Sequence, residues 1–208
     1  MYPDGGTNFE LISEEKGLLQ LELNIKTKSA HASQPFNGEN AIVKLYEVYE
    51  NLLKKYPLPK DNTEYLTSIN LSSLNGGLQT NQVPDKATMK LDIRYIAKDN
   101  PQDFINIISN TNTNIEIKTI LEGPVFKTNL NNKEIKNYLK ICKDTLGKKV
   151  NIIGCESTSD AVYFSEHNIP TIIMNPDGYY PHCENEYVNK ESLLTLYNIY
   201  YKFIQKED

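Results

Sequence analysis

The chain has 208 residues, of which 24% are charged and 39% hydrophobic, and its net charge is −5. This acidic balance argues against a nucleic-acid-binding surface, which needs a basic patch, and no apolar run approaches the ~20 residues that span a membrane. The length allows one or two globular domains. The three cysteines, Cys142, Cys155 and Cys183, are too widely spaced for a disulfide framework. Because no basic segment followed by an apolar stretch marks a signal peptide, we expect a reducing cytoplasm.

Strand and helix patterns alternate in a defined order over the first part of the chain. Apolar and polar residues alternate at 19–26 and again at 87–95, which predicts two strands with one buried face each. Four more elements are predicted, namely helices at 40–55 and 101–110 and strands at 65–74 and 115–117. The order strand, helix, strand, strand, helix, strand predicts a ferredoxin-like βαββαβ unit, which we place at 18–121.

From Gly123 onward the pattern is α/β. The apolar runs 150–153 and 171–174 are short enough to be buried parallel strands. Together with 1–17, which hold a strand-like stretch at 9–12, we assign 122–208 to a partial α/β domain. The fold class is therefore α/β with an α+β insert. Helices are predicted at 132–146, 159–166 and 190–205, and the last is expected to bury Leu193, Leu196, Tyr197, Tyr200 and Ile204.

Two side chains are candidates for chemistry from their setting alone. His182 follows the run that ends at Met174, and in open α/β sheets ligands bind beyond the carboxyl ends of strands. Its imidazole is a possible zinc ligand that Glu186 would orient; a histidine that only orders its loop is the alternative. Arg94 is the only arginine among 22 basic residues, which suggests a need for its planar, bidentate fork. Solvated charge on the polar face of a strand is the alternative for Arg94.

Several stretches, spaced in the right order, resemble the zinc-dependent aminoacylase, carboxypeptidase and dipeptidase family. That family includes acetylornithine deacetylase, succinyl-diaminopimelate desuccinylase, carboxypeptidase G and Xaa-His dipeptidases. The resemblance covers nearly the whole chain, and the segments before 95 resemble the inserted dimerisation domain of the family. The stretches are Ser29-Ala-His31-Ala-Ser-Gln-Pro35, Asn81-Gln-Val-Pro-Asp85, Leu91-Asp-Ile-Arg94, Ser157-Thr-Ser-Asp-Ala161, Pro176-Asp-Gly178 and His182 with Asn185-Glu-Tyr-Val188.

The resemblance implies roles for five residues around a substrate. His31 would reach into the active site of the partner subunit of a homodimer and hold the carbonyl oxygen as charge develops there. Asn81 would bind substrate and Arg94 would grip its carboxylate, while Thr158 and Ser159 would contact the substrate tail. The family usually has Gly-Gly-Thr where this chain has Glu-Ser-Thr at 156–158. For His31, a loop-ordering role is the alternative.

The resemblance also implies a two-zinc site of which this chain holds a minority of the ligands. His182 would be the last ligand, and Asp4 would be another, unless Tyr2 occupies the ligand position and Asp4 is a plain turn residue. The family carries a His-x-Asp, a further Asp and a Glu-Glu pair before the dimerisation domain, and we expect this chain to begin after these motifs. A co-catalytic centre needs a bridging carboxylate, terminal ligands and a general base.

We therefore expect the C-terminal portion of a zinc metallopeptidase or amidohydrolase that is inactive alone. Its homodimer would form through 18–121, and a separate N-terminal catalytic half is a possible further partner. The substrate would be a small peptide or an N-acyl amino acid with a free carboxylate. The alternatives are a non-catalytic dimerisation or regulatory module and an amino-acid-binding protein that uses Arg94.

Overall fold

The computed structural model describes residues 1, 3, 7–61, 63–179 and 184–205. The chain divides into two compact units, which are described separately below: unit 1 comprises Met1–Lys16 with Val125–Asp208, and unit 2 comprises Gly17–Pro124. The strands are β1 Leu11–Glu15, β2 Gly17–Lys26, β3 Ala30–His31, β4 Ser68–Gly76, β5 Gln82–Val83, β6 Lys86–Tyr95, β7 Ile115–Gly123, β8 Phe126–Lys127, β9 Ile152–Cys155, β10 Ile173–Met174, β11 Gly178–Tyr179 and β12 Tyr187–Val188. The helices are α1 Ala41–Lys55, α2 Pro101–Thr111, α3 Lys133–Leu146, α4 Ala161–Glu166 and α5 Lys190–Ile204, with a short 3₁₀ helix at Pro35–Asn37.

Unit 2 is a four-stranded antiparallel sheet with the strand order β4-β6-β2-β7. This order, with a helix after β2 and another after β6, is that of a ferredoxin-like unit, so the predicted fold class is confirmed. The alternation in β2 and β6 places Leu21 opposite Leu91 and Leu23 opposite Met89, all buried. On this buried face the two helices also contribute apolar side chains, among them Leu45, Leu52, Phe104 and Ile108.

Unit 1 is a small α/β sheet centred on β1. On one side β1 pairs with β9 in parallel; on the other it pairs antiparallel with β10 and then β8. One cluster of buried side chains joins α3 and α5 to β1 and β10, among them Leu11, Tyr138, Met174, Leu196 and Ile199. A second cluster joins α4 to β1, β8 and β10 through Ile12, Phe126, Ala161, Val162 and Ile173.

Asparagines start most of the helices. Asn40, Asn100, Asn132 and Asn189 each accept a hydrogen bond from backbone N–H groups in the first turn of the following helix. Such caps satisfy the amides that a helix leaves without intrahelical partners. In the part of the chain that the structure describes, no helix is both long and apolar enough to cross a bilayer.

Three details of unit 1 differ from the sequence-based prediction. The strand predicted at 171–174 is shorter in the structure, where β10 comprises Ile173–Met174, and it runs antiparallel to β1 rather than parallel. The buried side of α5 is formed by Ser192, Leu196 and Ile199, because the helix packs on the sheet one position away from the predicted stripe. The first strand extends to Glu15, and both Glu15 and Lys16 are fully buried. Of the predicted stripe, Leu193, Tyr197 and Ile204 are exposed instead.

Candidate functional site

His31 and Asn81 lie side by side at one end of unit 2. The two-residue strands β3 and β5 pair antiparallel, with His31 opposite Gln82, and the Ala32 amide donates to the Asn81 carbonyl at 2.9 Å. The His31 side chain is exposed to solvent. The structure therefore brings together two of the residues for which the resemblance implies a role in contacting the substrate.

The hydrogen bonds of His31 determine where its ring carries the proton. The backbone N–H of Ser33 lies 3.2 Å from His31 Nδ1, and the Ser33 hydroxyl lies 2.8 Å from the same nitrogen. Because a backbone N–H can only donate, Nδ1 is the acceptor and the neutral ring holds its proton on Nε2. Nε2 is then a donor on an exposed side chain, and a donor of this kind can stabilise a developing oxyanion.

The loop that carries His31 is braced by backbone and side-chain contacts. The Ser29 hydroxyl donates to the Val83 carbonyl at 3.2 Å and accepts from the Gln82 side chain at 2.7 Å. At Gly38, a Cβ atom would lie 2.8 Å from both the Ala30 Cβ and the Lys28 carbonyl oxygen, so only glycine fits without a shift. A rigid support of this kind holds a donor at a fixed position.

Arg94 lies on β6, near the other end of unit 2 from His31. It is opposite Leu18 on β2 and Ser68 on β4, and its Nε and Nη2 atoms are 2.8 and 3.4 Å from the two carboxylate oxygens of Asp92. Asp92 is held in turn by the Gln20 side chain at 2.7 Å. The sequence did not reveal this pairing, since residues two apart on a strand face the same side whatever their role.

His31 and Arg94 lie toward opposite ends of unit 2. β6 begins at Lys86, opposite the end of β2 that leads to His31, and Arg94 lies eight residues further along. At about 3.3 Å per residue, the distance from Lys86 to Arg94 along β6 is about 26 Å.

Thr158 and Ser159 belong to unit 1, where their hydroxyls serve internal contacts. The Ser159 amide and hydroxyl both donate to the Glu15 carboxylate, at 3.1 and 2.8 Å, and the Thr158 hydroxyl donates to the Lys16 carbonyl at 2.6 Å. Lys16 forms an ion pair with Glu156. Glu15 and Lys16 are fully buried, and no periodic pattern predicts this because they stand in a short polar run before Gly17.

The candidate metal ligands Asp4 and His182, together with Tyr2, lie outside the described residues. Among the residues that the structure does describe, no three His, Cys, Asp or Glu side chains are grouped closely enough to hold a metal ion. The described side chains therefore do not fit a zinc centre by themselves. Asp and His would be suitable donors for zinc, but two ligands fall short of the usual four.

The chain therefore consists of an α/β unit into which a ferredoxin-like unit, Gly17–Pro124, is inserted. Residues 13–120 match the M20 model for a peptidase dimerisation domain. That match covers just over half of the chain, and the chain belongs to the M20 peptidase family.

Curated proteins and solved structures align with nearly all of the chain. A probable succinyl-diaminopimelate desuccinylase of Staphylococcus aureus is 26% identical over 89% of this chain and 54% of its own length. The crystal structure of the aminopeptidase PepT of Bacillus cereus is similar with a TM-score of 0.77 at 19% identity, over 98% of this chain and 55% of that one. A metallo-carboxypeptidase of Sulfolobus solfataricus has a TM-score of 0.62 at 17% identity. These structures show the fold, and the chain spans about half the length of the curated relatives it matches.

Proposed function

We propose that this chain is the C-terminal portion of a zinc-dependent amidohydrolase or peptidase. The reaction would be hydrolysis of a peptide or N-acyl amino acid bond next to a free carboxylate. The proposal is supported by the family membership and by the positions of His31, Asn81 and Arg94. A cytoplasmic location is part of this proposal.

The observation that carries the proposal is the Nε2 donor of His31. Its ring is fixed by Ser33, it is exposed, and Asn81 lies beside it at the end of a braced ribbon. Such a donor binds the carbonyl oxygen of the scissile amide more tightly as negative charge develops. This difference between transition state and ground state is what accelerates the reaction.

Arg94 has the complementary role of substrate anchor. Its Nε edge is directed at Asp92, and the remaining N–H groups of the fork are available for the free carboxylate of a substrate. Because Lys86, which lies opposite the end of β2 that leads to His31, is about 26 Å from Arg94 along β6, we propose a homodimer through 18–121 in which His31 of one copy completes the site that contains Arg94 of the other.

The metal part of the proposal concerns Asp4 and His182, with Tyr2 as the alternative to Asp4. Zinc held partly by these residues would act as a Lewis acid and supply an activated water. Because two ligands do not make such a site, we propose that the remaining ligands and the general base come from a separate N-terminal half. Thr158 and Ser159 are proposed to shape the loop near the substrate tail.

The experiment uses the protein purified from its natural host. Its intact mass and zinc content are measured, and dipeptides and N-acyl amino acids are offered as substrates. We expect hydrolysis only in a preparation that contains the second polypeptide. Turnover by the 208-residue chain and zinc alone would refute the incomplete site.

The role of His31 is tested with a matched pair of variants. His31→Ala should lower kcat by about 100-fold or more, as loss of one oxyanion donor does, with little change in KM. His167→Ala is the control, because His167 is also exposed and its ring bonds the Tyr163 carbonyl four residues earlier. Calorimetric binding of an amino acid without metal and without hydrolysis in any preparation would favour the amino-acid-binding alternative.

A further inference from the structure

A cavity of about 360 Å³ in unit 1, here called the lysine cavity, is lined by residues of α3 and of the segment that leads into β9. Small-molecule sites in proteins are commonly cavities of this size, largely apolar and with a few polar groups. Three of the lining residues are aliphatic and four are lysines, and they are Lys136, Leu139, Lys140, Lys143, Lys149, Val150 and Ile152.

The aliphatic part of the lysine cavity continues the core of unit 1 toward solvent. Val150 is 7% exposed and belongs to the buried cluster that joins α3 to the sheet, and Leu139 packs against that cluster. Ile152, the first residue of β9, is 41% exposed. An aliphatic ligand that covered Leu139 and Ile152 would therefore remove apolar surface from water, which is favourable.

The lysines make this place positively charged in a chain whose net charge is −5. Lys136, Lys140 and Lys143 follow one another at spacings of four and three residues, so they share one side of α3. Lys140 lies 3.7 Å from Asp144, but both side chains are largely exposed and such a pair contributes little. In the part of the chain that the structure describes, Lys136 and Lys143 form no ion pair, and no acidic residue lines the cavity.

The hydrogen-bonding capacity of the lining selects the class of ligand. An ammonium group only donates, and the aliphatic side chains neither donate nor accept, so the lining side chains offer no acceptor. A peptide would bring N–H donors that these side chains cannot satisfy, whereas an ionised carboxylate only accepts. The lysine stems add further aliphatic surface beside the charged groups. An aliphatic chain with a carboxylate at one end complements this lining.

We infer that the lysine cavity binds a free, medium-chain aliphatic carboxylate. Its hydrocarbon chain lies on Leu139, Val150 and Ile152, and its carboxylate lies among the lysine ammonium groups. The inference is independent of the proposed function, because the cavity belongs to unit 1 alone and none of its residues is proposed to contact the substrate or zinc.

The experiment titrates the full 208-residue chain with monomeric sodium decanoate in a calorimeter. We expect one saturable site whose affinity falls about fourfold for each methylene group removed from the ligand, the effect of one buried methylene. Lys136→Gln combined with Lys143→Gln should weaken decanoate binding at least tenfold. Lys133→Gln combined with Lys148→Gln is the control, because these exposed lysines flank the same stretch but do not line the cavity. Circular dichroism establishes that both variants are folded.

A second measurement needs no variant. Decanoate should slow the reductive methylation of Lys136 and Lys143, followed by peptide mass spectrometry, and leave the rates at Lys133 and Lys148 unchanged. This pattern would place the ligand in the cavity rather than elsewhere on a surface that carries many lysines.

Four results would overturn the inference. The first is the absence of saturable decanoate binding, and the second is acetate binding as tight as that of decanoate, which would indicate a simple anion patch. The third is equal weakening in the two double variants. The fourth is binding to phosphatidylglycerol vesicles or to a polyglutamate peptide without binding of monomeric decanoate, which would assign the lysines to a membrane surface or to an acidic polypeptide.

Discussion

The contact between Ser159 and Glu15 allows a sharp test of what holds the 156–159 loop. The Ser159 hydroxyl donates a 2.8 Å hydrogen bond to a carboxylate that is fully buried, and the Ser159 amide bonds the same oxygen. Ser159→Ala would remove the hydroxyl and leave the carboxylate with one donor fewer in a place that water does not reach. A buried charge that loses a partner is costly, because its desolvation is no longer offset.

The expected loss in the free energy of unfolding of unit 1 is about 1.5–3 kcal/mol, the usual value of a hydrogen bond to a charged group. Ser165→Ala is the matched control. Its hydroxyl donates to the Val162 carbonyl three residues earlier, a neutral local bond, so its removal should cost about 0.5 kcal/mol or less.

Hydrogen exchange followed by mass spectrometry measures the two units separately during urea unfolding. We expect peptides of β1 and α4 to lose protection at lower urea in Ser159→Ala, and peptides of unit 2 to be unchanged. Equal stabilities of Ser159→Ala and Ser165→Ala would refute the reasoning. That result would leave Ser159 free for the substrate role that its sequence motif suggests.

Three further predictions concern the interiors of the two units. Burial raises the pKa of the Cys142 thiol to about 12, so at pH 8 iodoacetamide should modify Cys155 first and Cys142 only on unfolding, as peptide mass spectrometry would detect. The pKa of the unfolded thiol is near 9.0, so above that pH the unfolded state binds fewer protons than the folded state. The free energy of unfolding should therefore fall by up to about 1.4 kcal/mol per pH unit between pH 9 and 12. Urea titrations of Cys142→Ala should lack this part of the pH dependence. Gly17→Ala should lower the melting temperature of unit 2 by several degrees in calorimetry, because its Cβ would lie 2.3 Å from the Tyr95 Cζ; Gly123→Ala, whose Cβ would meet nothing nearer than 3.8 Å, is the control.

The sequence predicted unit 2 well because local pattern and global fold agree there. β2 and β6 alternate without interruption, and this period alone sets which side chains are buried when the strands pair. Asn40 and Pro101 mark the starts of the two helices in the expected way. With the strands and helices correctly ordered, the ferredoxin-like arrangement follows.

Unit 1 was predicted less well, for reasons that are also physical. A two-residue strand such as β10 carries too little pattern to reveal its direction. α5 has apolar residues on both sides, so periodicity could not tell which side the sheet buries. Glu15 and Lys16 look like solvent-exposed charges in sequence, and only tertiary contacts with Ser159 and Glu156 explain their burial.

The pairing of Arg94 with Asp92 changes how the single arginine is understood. A partly exposed ion pair contributes little to stability, so the contact is a poor reason for keeping an arginine. In the proposed role of substrate anchor, its geometry has a clearer use. Asp92, fixed by Gln20, binds the Nε edge of the fork and restricts the rotamers of a long side chain. The conformational entropy that the Arg94 side chain would lose on binding a substrate carboxylate is then already lost in the free protein. A preorganised anchor increases affinity in this way. A lysine would keep the charge but not this planar orientation, and the other 21 basic residues of the chain are lysines.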